Sequence, residues 1–407
     1  MEWLDPSYVK ELVEKDNLTL SELSSHLQAC YPEEKGLSAA SLRKFCNAKS
    51  ITFPRLHSFT PDESLDDAVN TAVNEVGCSY GRRMMTGYLR NKGVVASEKR
   101  VGSSLKKISP DYHQLRQSGA EKLPNPKSYS APYFGFNLHM DQNEKLVEFG
   151  ITSVVAVDGH SGLIPSFAVM PKKNNITIYN EVFRSAIETY GLWEQLVVDH
   201  GREFYLTCFM QEYLRQAADL ERPAYRQVKS TVNNRVERIY VEINQRVGYP
   251  IKSCFIDMET KGLVSPDNDF HLFALSQVGM TVAKHGLNTL TEAWNHHSVP
   301  GKGRPIEAVS KRQNIPQSIP KEVPSPDEAV EMYTTASGKL THEEAVGTDL
   351  LHDETAKQQR ETAFLEQLTQ RFGDLNFVFG ETVNNNYMPL QSAVQLYMNI
   401  TASMCGH

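Results

Sequence analysis

Three acidic residues stand where carboxylates can do chemistry. Asp141 and Asp199 each end an apolar, strand-like segment, so each carboxylate is predicted at the rim of a sheet, exposed enough to ionise and rigid enough to aim. Neighbouring like charges raise the pKa of one of them unless a divalent cation lies between them. Carboxylate oxygens are hard ligands that suit Mg²⁺ or Mn²⁺ rather than zinc. The pair therefore predicts a divalent-metal site.

Glu237 is the third acid, and it lies in a predicted helix over 231–247 whose apolar residues recur at helical spacing. Arg235 and Arg238 flank it, so an ion-paired surface glutamate is the alternative interpretation. Each of the three acids taken singly also fits a structural or surface role. The hypothesis of a catalytic site therefore depends on the set.

The segments that must position these acids alternate between strands and helices. The predicted strands are 136–141, 151–157, 163–170 and 195–199. The first three have short connections, which favours an antiparallel meander. Helices over 176–190 and 203–218 surround the fourth strand, and a long helix is predicted over 270–294. This order predicts an α/β fold, a mixed sheet with helices on its faces.

Two small helical segments precede this region. Residues 1–60 are predicted to form a first helix-turn-helix-like segment, and residues 61–118 a second, basic one. In the second segment Ser97 is predicted to cap a third helix, the helix that enters a major groove in such trios. Residues 119–132 are polar and broken by prolines, which predicts a linker.

Charge is unevenly distributed along the 407 residues, whose net charge is −7. Residues 79–116 carry nine basic and two acidic side chains, whereas residues 321–407 carry 13 acidic and five basic ones. A cluster of positive charge of this kind, here called the positive island, suits binding to the phosphate backbone of a nucleic acid. The alternative interpretation is a helix surface whose charges are simply exposed to solvent. The predicted DNA-binding side chains of this island are Arg82, Arg83, Arg90, Arg100, Lys106 and Lys107.

Composition excludes several classes of protein. No apolar run approaches the roughly 18 residues that a membrane span needs. The first residues lack the basic start and apolar stretch of a secretory signal. Six cysteines are scattered without a CxxC pair, which indicates neither a disulfide framework nor a zinc ribbon. We therefore expect a globular protein that is neither membrane-bound, secreted nor fibrous.

Residues 133–300 resemble the catalytic core shared by retroviral integrases and the DDE transposases of bacterial insertion sequences. The matching pieces are Asp141, the second-strand segment 154–161, the segment 197–204, which is similar to the family's Asp-Asn-Gly-x-x-Phe motif, and 235–238, which is similar to its Val-Glu-Arg helix. Residues 79–83, with Gly93 and 100–101, resemble the helix-turn-helix that precedes this core in transposases. His200 departs from the usual Asn, and Asn233-Asn234 stands where many relatives have Gly-Gln.

This resemblance implies a ribonuclease-H-like fold: a mixed five-stranded sheet flanked by helices, with N-terminal all-α helix-turn-helix domains. The core would span 133–300, and an acidic, partly helical C-terminal region of unassigned role would span 301–407. Asp141, Asp199 and Glu237 would be both the catalytic residues and the ligands of two Mg²⁺ or Mn²⁺ ions. Arg235 and Arg238 would contact phosphates next to them.

The implied activity is metal-dependent DNA end cleavage followed by strand transfer, as in transposon-derived integrase-core proteins of animal genomes. The implied partners are double-stranded DNA, at element ends and at the target, and further copies of the chain in a homo-oligomer. The location would be nuclear or cytoplasmic, with the nucleus favoured by the substrate alone. The main alternative is a domesticated DNA-binding protein that kept the fold without the reaction. An RNA-cleaving nuclease of the same fold would require a fourth acid.

Overall fold

The computed structural model describes residues 3–14, 20–51, 60–110, 129–216, 222–229, 233–299, 303–309, 323–341 and 346–405. The chain divides into two compact units, Met1–Asp62 and Glu63–His407. The first ten residues of the predicted linker (119–128) and the last basic residue of the positive island, Arg116, lie outside the described residues.

The first unit is helical, and its described helices are α1 (Pro6–Glu14), α2 (Leu20–Cys30) and α3 (Ala39–Ala48). Ser38 caps α3, because its side chain accepts a hydrogen bond from the backbone N–H of Ser41. Apolar side chains from the three helices, among them Val9, Leu27 and Leu42, are fully buried together. A helix-turn-helix role for this unit stays a prediction.

The second unit begins with a second trio of helices, α4 (Asp62–Val76), α5 (Arg82–Asn91) and α6 (Glu98–Ile108). The predicted cap is present, since the Ser97 side chain accepts a hydrogen bond from the backbone N–H of Arg100. In α6, Val101 and Leu105 are buried and Lys106 and Lys107 are exposed.

A five-stranded sheet forms the centre of the second unit. Its strands are β1 (Asn137–Leu146), β2 (Ile151–Asp158), β3 (Phe167–Met170), β4 (Gln195–Val198) and β5 (Tyr225–Gln227). They lie in the order β3-β2-β1-β4-β5. The first three strands pair antiparallel, and β4 pairs parallel with both β1 and β5. The predicted mixed sheet of ribonuclease-H-like type is therefore confirmed.

Three strands differ from the sequence prediction. The first strand was predicted to end at Asp141, but β1 continues to Leu146 because its polar second half still pairs with β2, so Asp141 lies inside the strand. β3 begins at Phe167 rather than Leu163, because the side chain of Asn295 binds both the backbone N–H and the carbonyl of Ile164, at 2.9 Å each. Ile164 is therefore buried without being part of the strand. β5 has only three residues and a polar sequence, so it carries no strand pattern that sequence reasoning could detect.

Helices cover both faces of the sheet. α7 (Asn175–Thr177, Ile178–Arg184 and Ser185–Tyr190, the middle part π-helical) and α8 (Tyr205–Arg215) pack on the face that Val154 and Ala156 present. On the opposite face, Val155 and Val157 contact α9 (Asn234–Ile243), α10 (Tyr249–Thr260) and α11 (Asp269–His296). A π-helical turn, Asn244–Gly248, joins α9 to α10. Alternate residues of β2 thus serve two cores, as the two-residue period of a strand requires.

The C-terminal region packs onto the same domain. α12 (Pro326–Thr335) buries Ala329 and Tyr333 in the core beside α8. α13 (Glu354–Phe372), α14 (Leu375–Val383) and α15 (Met388–Met404) bury Phe364, Val378 and Val394 in the core of α9–α11. Within the described part of the chain, no helix has the length and apolar character that spanning a membrane requires.

The trio α4–α6 is attached to the core through a close contact between α5 and α11. Ala293 of α11 belongs to the apolar core of the trio. At Gly87 of α5, a Cβ atom would lie 2.3 Å from the carbonyl oxygen of Ala293 and 2.8 Å from the backbone nitrogen of His297. Backbone atoms cannot move aside without separating the helices, so this contact requires glycine.

Gly87→Ala is therefore expected to destabilise the second unit by about 2–3 kcal/mol, the cost of overpacking a close contact. The matched control is Gly102→Ala in α6, where the added Cβ meets only Arg82 side-chain atoms at 3.6 Å. That change should stabilise the protein by about 0.5–1 kcal/mol, because alanine favours helix. Urea unfolding of both variants measures the difference, and equal effects would contradict the close contact.

Candidate active site

Two adjacent parallel strands bring Asp141 and Asp199 to the end of the β1–β4 pairing. In the pairing of β1 with β4, His139 lies opposite Val197. Asp141 is two residues beyond His139, and Asp199 is two residues beyond Val197, directly after β4 ends. Because neighbouring strands lie about 4.8 Å apart, the two aspartates occupy equivalent positions on neighbouring chain segments.

Backbone N–H groups hold one oxygen of each carboxylate. Asp141 Oδ1 accepts a hydrogen bond from the N–H of Gln142, and Asp199 Oδ1 accepts one from the N–H of Gly201, both at 2.9 Å. Charge-assisted hydrogen bonds of this kind stabilise the ionised carboxylate and fix its direction. Each aspartate therefore has a defined orientation at the edge of the sheet.

Glu237 is turned toward Asp141 by two attachments between α9 and β1. Asn233, just before α9, donates from its side chain to the carbonyl of Met140 at 3.1 Å. Tyr240, on α9, donates from its hydroxyl to the carbonyl of Asp141. Glu237 lies four residues after the first attachment and three before the second, and residues at these spacings share one face of a helix. The structure thus brings the three predicted acids together.

The three acids interact electrostatically. Asp141 is 7% exposed, and burial, with the repulsion of Asp199, Glu237 and Glu203, raises its pKa to about 7 even though the Gln142 N–H opposes the shift. The acids therefore form one partly buried anionic cluster. Among the residues that the structure describes, no three His, Cys, Asp or Glu side chains are arranged to hold a metal ion.

Glu203 is a fourth acid of this cluster that sequence reasoning missed. It is buried in the turn after Asp199, and a Cβ at Gly201 would lie 2.5 Å from its carboxyl carbon. The sequence signal that could have identified Glu203 is its position inside the motif-like segment 197–204. Lys173 lies 3.3 Å from Glu203 and 3.2 Å from Glu144. The fourth acid that an RNA-cleaving nuclease would need is thus present, but it is paired with a lysine.

A buried hydrogen-bond chain fixes the start of α9. Tyr129 lies 2.7 Å from Nε2 of His139, and Nδ1 of His139 lies 2.7 Å from Oδ1 of Asn233. Burial lowers the pKa of His139 to about 4, so the ring is neutral. With Nδ1–H donating to Asn233 and Nε2 accepting from Tyr129, every group in the chain is satisfied. Asn233, where many relatives carry Gly, therefore locks α9 to the strand of Asp141.

Asn233→Ala is expected to cost about 1–3 kcal/mol of stability, because Nδ1 of His139 and the Met140 carbonyl each lose their hydrogen bond to Asn233. It should also lower any cleavage rate by about 10-fold to 100-fold, because α9 loses an attachment next to Glu237. The matched control is Asn143→Ala, which removes a 2.7 Å bond from β1 to Asn244, farther along the strand. Rates are compared per folded molecule, and equal rates for the two variants would contradict a positioning role.

Asp158 serves the fold rather than the acidic cluster. Its Oδ2 accepts from the backbone N–H and the hydroxyl of Ser161, and its Oδ1 accepts from Gly135 N–H and from the Trp193 indole. It is fully buried, and these four bonds compensate for the loss of water. Asp158 therefore caps the turn after β2.

The predicted DNA-binding residues divide into two groups. Four of them line one cleft of about 830 Å³: Arg82, Arg83, Lys106 and Arg238. The others lie elsewhere: Arg90 beside Arg304 and Glu307, Lys107 paired with Asp66 at 2.9 Å, Arg100 on α6, and Arg235 over the Tyr129 ring at 4.3 Å. Charge along the sequence therefore marks the region, but it does not show which side chains share a surface.

The five-stranded mixed sheet, with acids at the edge where β1 and β4 run side by side, defines a ribonuclease-H-like domain. Residues 129–305 match the family described as the integrase core domain. Over these residues the chain is similar to the integrase core of DDE transposases and retroviral integrases. This family is polynucleotidyl-transferase-like, generally uses divalent metals and generally binds DNA. Among curated proteins, none matches the chain.

Proposed function

We propose that this protein is a DNA integrase or transposase that cleaves DNA ends and joins them to target DNA, with Asp141, Asp199 and Glu237 as its catalytic residues. The observation that carries the proposal is the double attachment of α9 to β1, which turns Glu237 toward Asp141. The mutual repulsion of these acids at one sheet edge is the second support.

The chemistry of the donor set fits a divalent cation. Carboxylate oxygens are the ligands that Mg²⁺ and Mn²⁺ prefer, and a buried anionic cluster is stabilised by a cation. Asp141, Asp199 and Glu237 would hold the metal, one or two ions of it. When bound, such ions activate the attacking hydroxyl and stabilise the leaving oxygen of an in-line displacement at phosphorus.

The chain's own residues orient this site. The N–H groups of Gln142 and Gly201 each hold one aspartate oxygen, which leaves the second oxygen of each carboxylate for the ligand. Lys173 neutralises Glu203 at the side of the cluster, so that the three remaining acids carry the charge that a cation would balance. Tyr240 and Asn233 hold α9 against β1, so Glu237 stays at a fixed distance from the strand that carries Asp141.

The partners follow from the family and from the basic side chains. We propose that α6 and the arginines 82, 83, 90 and 100 grip duplex DNA at element ends, with phosphate contacts setting the register. Lys106 and Lys107 would add to this grip, and Arg235 and Arg238 would contact phosphates beside the acids. We further propose a homo-oligomer that acts in the nucleus, where both element ends and target are found.

A DNA-binding protein that kept the fold without the reaction is the second candidate. The observation that favours it is that, among the described residues, the acids are not arranged to hold a metal ion as they stand. Cleavage of labelled duplex DNA with Mg²⁺ or Mn²⁺ separates the two candidates. Metal-dependent nicks and joined products support the enzyme, whereas DNA binding without nicking under both metals supports the second candidate.

A further inference from the structure

The C-terminal region contributes a segment that packs beside the turn after Asp199. We call residues 323–341 the brace segment, and they lie beyond the residues that match the integrase core family. The helix of this segment, α12, buries Tyr333 beside α8, with the Tyr333 ring 5.4 Å from the ring of Phe209. This packing fixes α12 against α8, the helix that follows the turn.

Hydrogen bonds hold both ends of the brace segment on α7. At its start, the hydroxyl of Tyr179 donates a 2.6 Å hydrogen bond to the carbonyl of Pro324. At its end, the backbone N–H of Thr341 donates to Oδ1 of Asn175, and the backbone N–H of Asn175 donates to the carbonyl of Thr341 at 3.4 Å. The segment is thus bound at both ends and packed in the middle, so its position relative to α7 is defined.

The side chain of Asn175 connects the brace segment to the turn after β4. Asn175 is fully buried, and its Nδ2 donates to the carbonyls of Arg202 and Glu203, at 2.9 Å each. An asparagine amide has two N–H donors and one acceptor oxygen, and here every one of them has a partner. Aspartate, which has the same size, could accept from Thr341 but could not donate to either carbonyl. This set of three bonds therefore needs an amide.

The turn that Asn175 holds is the one that orients Asp199. Asp199 Oδ1 accepts a hydrogen bond from the N–H of Gly201 at 2.9 Å, and Gly201 directly precedes Arg202. Because the carbonyl of Arg202 is fixed by Asn175, the Gly201 N–H keeps its direction as well. Residues that hold a metal ligand in this way orient it and tune its affinity for the metal. Loss of the Asn175 amide would therefore loosen Asp199.

We propose that Asn175 is a positioning residue for Asp199 and that the brace segment, through Thr341, is part of the scaffold of the active site. This inference rests on the proposed function, since Asp199 acts there as a metal ligand. It assigns a role to part of the C-terminal region, which holds the turn that orients one carboxylate. A buried asparagine that serves only the fold would affect stability without affecting the acids.

The first test measures amide hydrogen exchange in the full chain without metal. Asn175→Ala is expected to raise the exchange rate of the Gly201 amide at least about 10-fold relative to that of Ala156 in β2, because the turn loses two hydrogen bonds. The matched control is Asn295→Ala, which removes two 2.9 Å hydrogen bonds to the backbone of Ile164, before β3. This control should leave the ratio of rates at the wild-type value. An unchanged ratio in Asn175→Ala, or equal increases in both variants, would overturn the proposal.

The second test measures Mn²⁺ binding by titration calorimetry. Asn175→Ala should bind Mn²⁺ about 10-fold to 100-fold more weakly, the usual effect of removing a residue that orients a metal ligand. Asn295→Ala should bind it as tightly as the wild type. Wild-type affinity in Asn175→Ala would refute this inference alone. If the wild type binds no Mn²⁺, the proposed function is refuted, and exchange at Gly201 still decides whether Asn175 holds the turn.

A measurement on the wild type decides the proposal if Asn175→Ala does not fold. The amides of Thr341 and Gly201 should exchange at rates within about 10-fold of each other, after correction for their intrinsic rates, because parts of one cooperative unit open together. Exchange of Thr341 that is faster than this limit would overturn the proposal, since the brace segment would then open without the turn.

Discussion

Glu237→Gln is expected to abolish metal-dependent DNA cleavage and joining, with a loss of about 1,000-fold or more. The substitution keeps the volume and the helix but removes one of the three negative charges of the proposed metal site. Because Asn233 and Tyr240 hold α9 on β1, the glutamine should occupy the same place as the glutamate. The rate of nicking of an end-labelled duplex with Mg²⁺ or Mn²⁺ measures the effect.

The matched control is Glu212→Gln, which neutralises an exposed glutamate of α8. This variant should cleave at the wild-type rate. DNA binding by Glu237→Gln should also match the wild type when measured without metal, which shows that the change affects the reaction rather than the fold. Wild-type cleavage by Glu237→Gln would remove this residue from the mechanism.

Asp141→Asn is expected to stabilise the metal-free protein by about 1–3 kcal/mol at pH 8 while it eliminates cleavage. The carboxylate is buried and repelled by Asp199, Glu237 and Glu203, so removing its charge relieves the cluster. Conversely, saturating Mn²⁺ should stabilise the wild type by about 1.4–2.7 kcal/mol at 10 to 100 times its Kd, and this gain should be lost in the variant. Urea unfolding with and without metal measures both effects.

Asp158→Asn provides the contrast. Asp158 is a buried aspartate too, but four hydrogen bonds satisfy its carboxylate. Its replacement should therefore destabilise the protein by about 1–3 kcal/mol and leave the metal response intact. If both aspartate variants lose stability equally, Asp141 is a structural residue and the anionic cluster has no functional meaning.

The core of the fold could be predicted because its signals are local. β2 and β4 are apolar runs that end at Asp158 and just before Asp199, and strand patterns of this kind are recognised within a few residues. The first half of β1 was predicted in the same way, but its polar second half was not. β5 and the start of β3 could not be predicted either, because pairing partners far along the chain decide them. The side chain of Asn295, 131 residues away, occupies the backbone groups of Ile164.

The candidate site, like the fold, could be predicted only where the signal is local in the sequence. The identities of Asp141, Asp199 and Glu237 follow from motifs, whereas their common environment depends on Asn233 and His139, which meet across 94 residues. Neither residue carries a signal of its own, and Asn233 reads in the sequence only as a departure from Gly. Sequence reasoning missed Glu203 because it occupies one of the two x positions of the Asp-Asn-Gly-x-x-Phe motif, which can hold any residue.

The cleft lined by Arg82, Arg83, Lys106 and Arg238 could not be predicted from the sequence for a further reason. Its walls come from α5, α6 and α9, which are far apart in the sequence. The positive island was visible as charge, but Lys107 is held by Asp66 and Arg90 lies near Arg304. Only coordinates separate the cations that share the cleft from those that do not.

The central claim is that three distant acids form one divalent-metal site, and anomalous diffraction from crystals soaked in Mn²⁺ tests it most directly. The account predicts one or two anomalous peaks bridging the side chains of Asp141, Asp199 and Glu237, with none in crystals of Asp141→Asn. Peaks that lie elsewhere, or no peak at these acids in a protein that cleaves DNA with Mn²⁺, would contradict it.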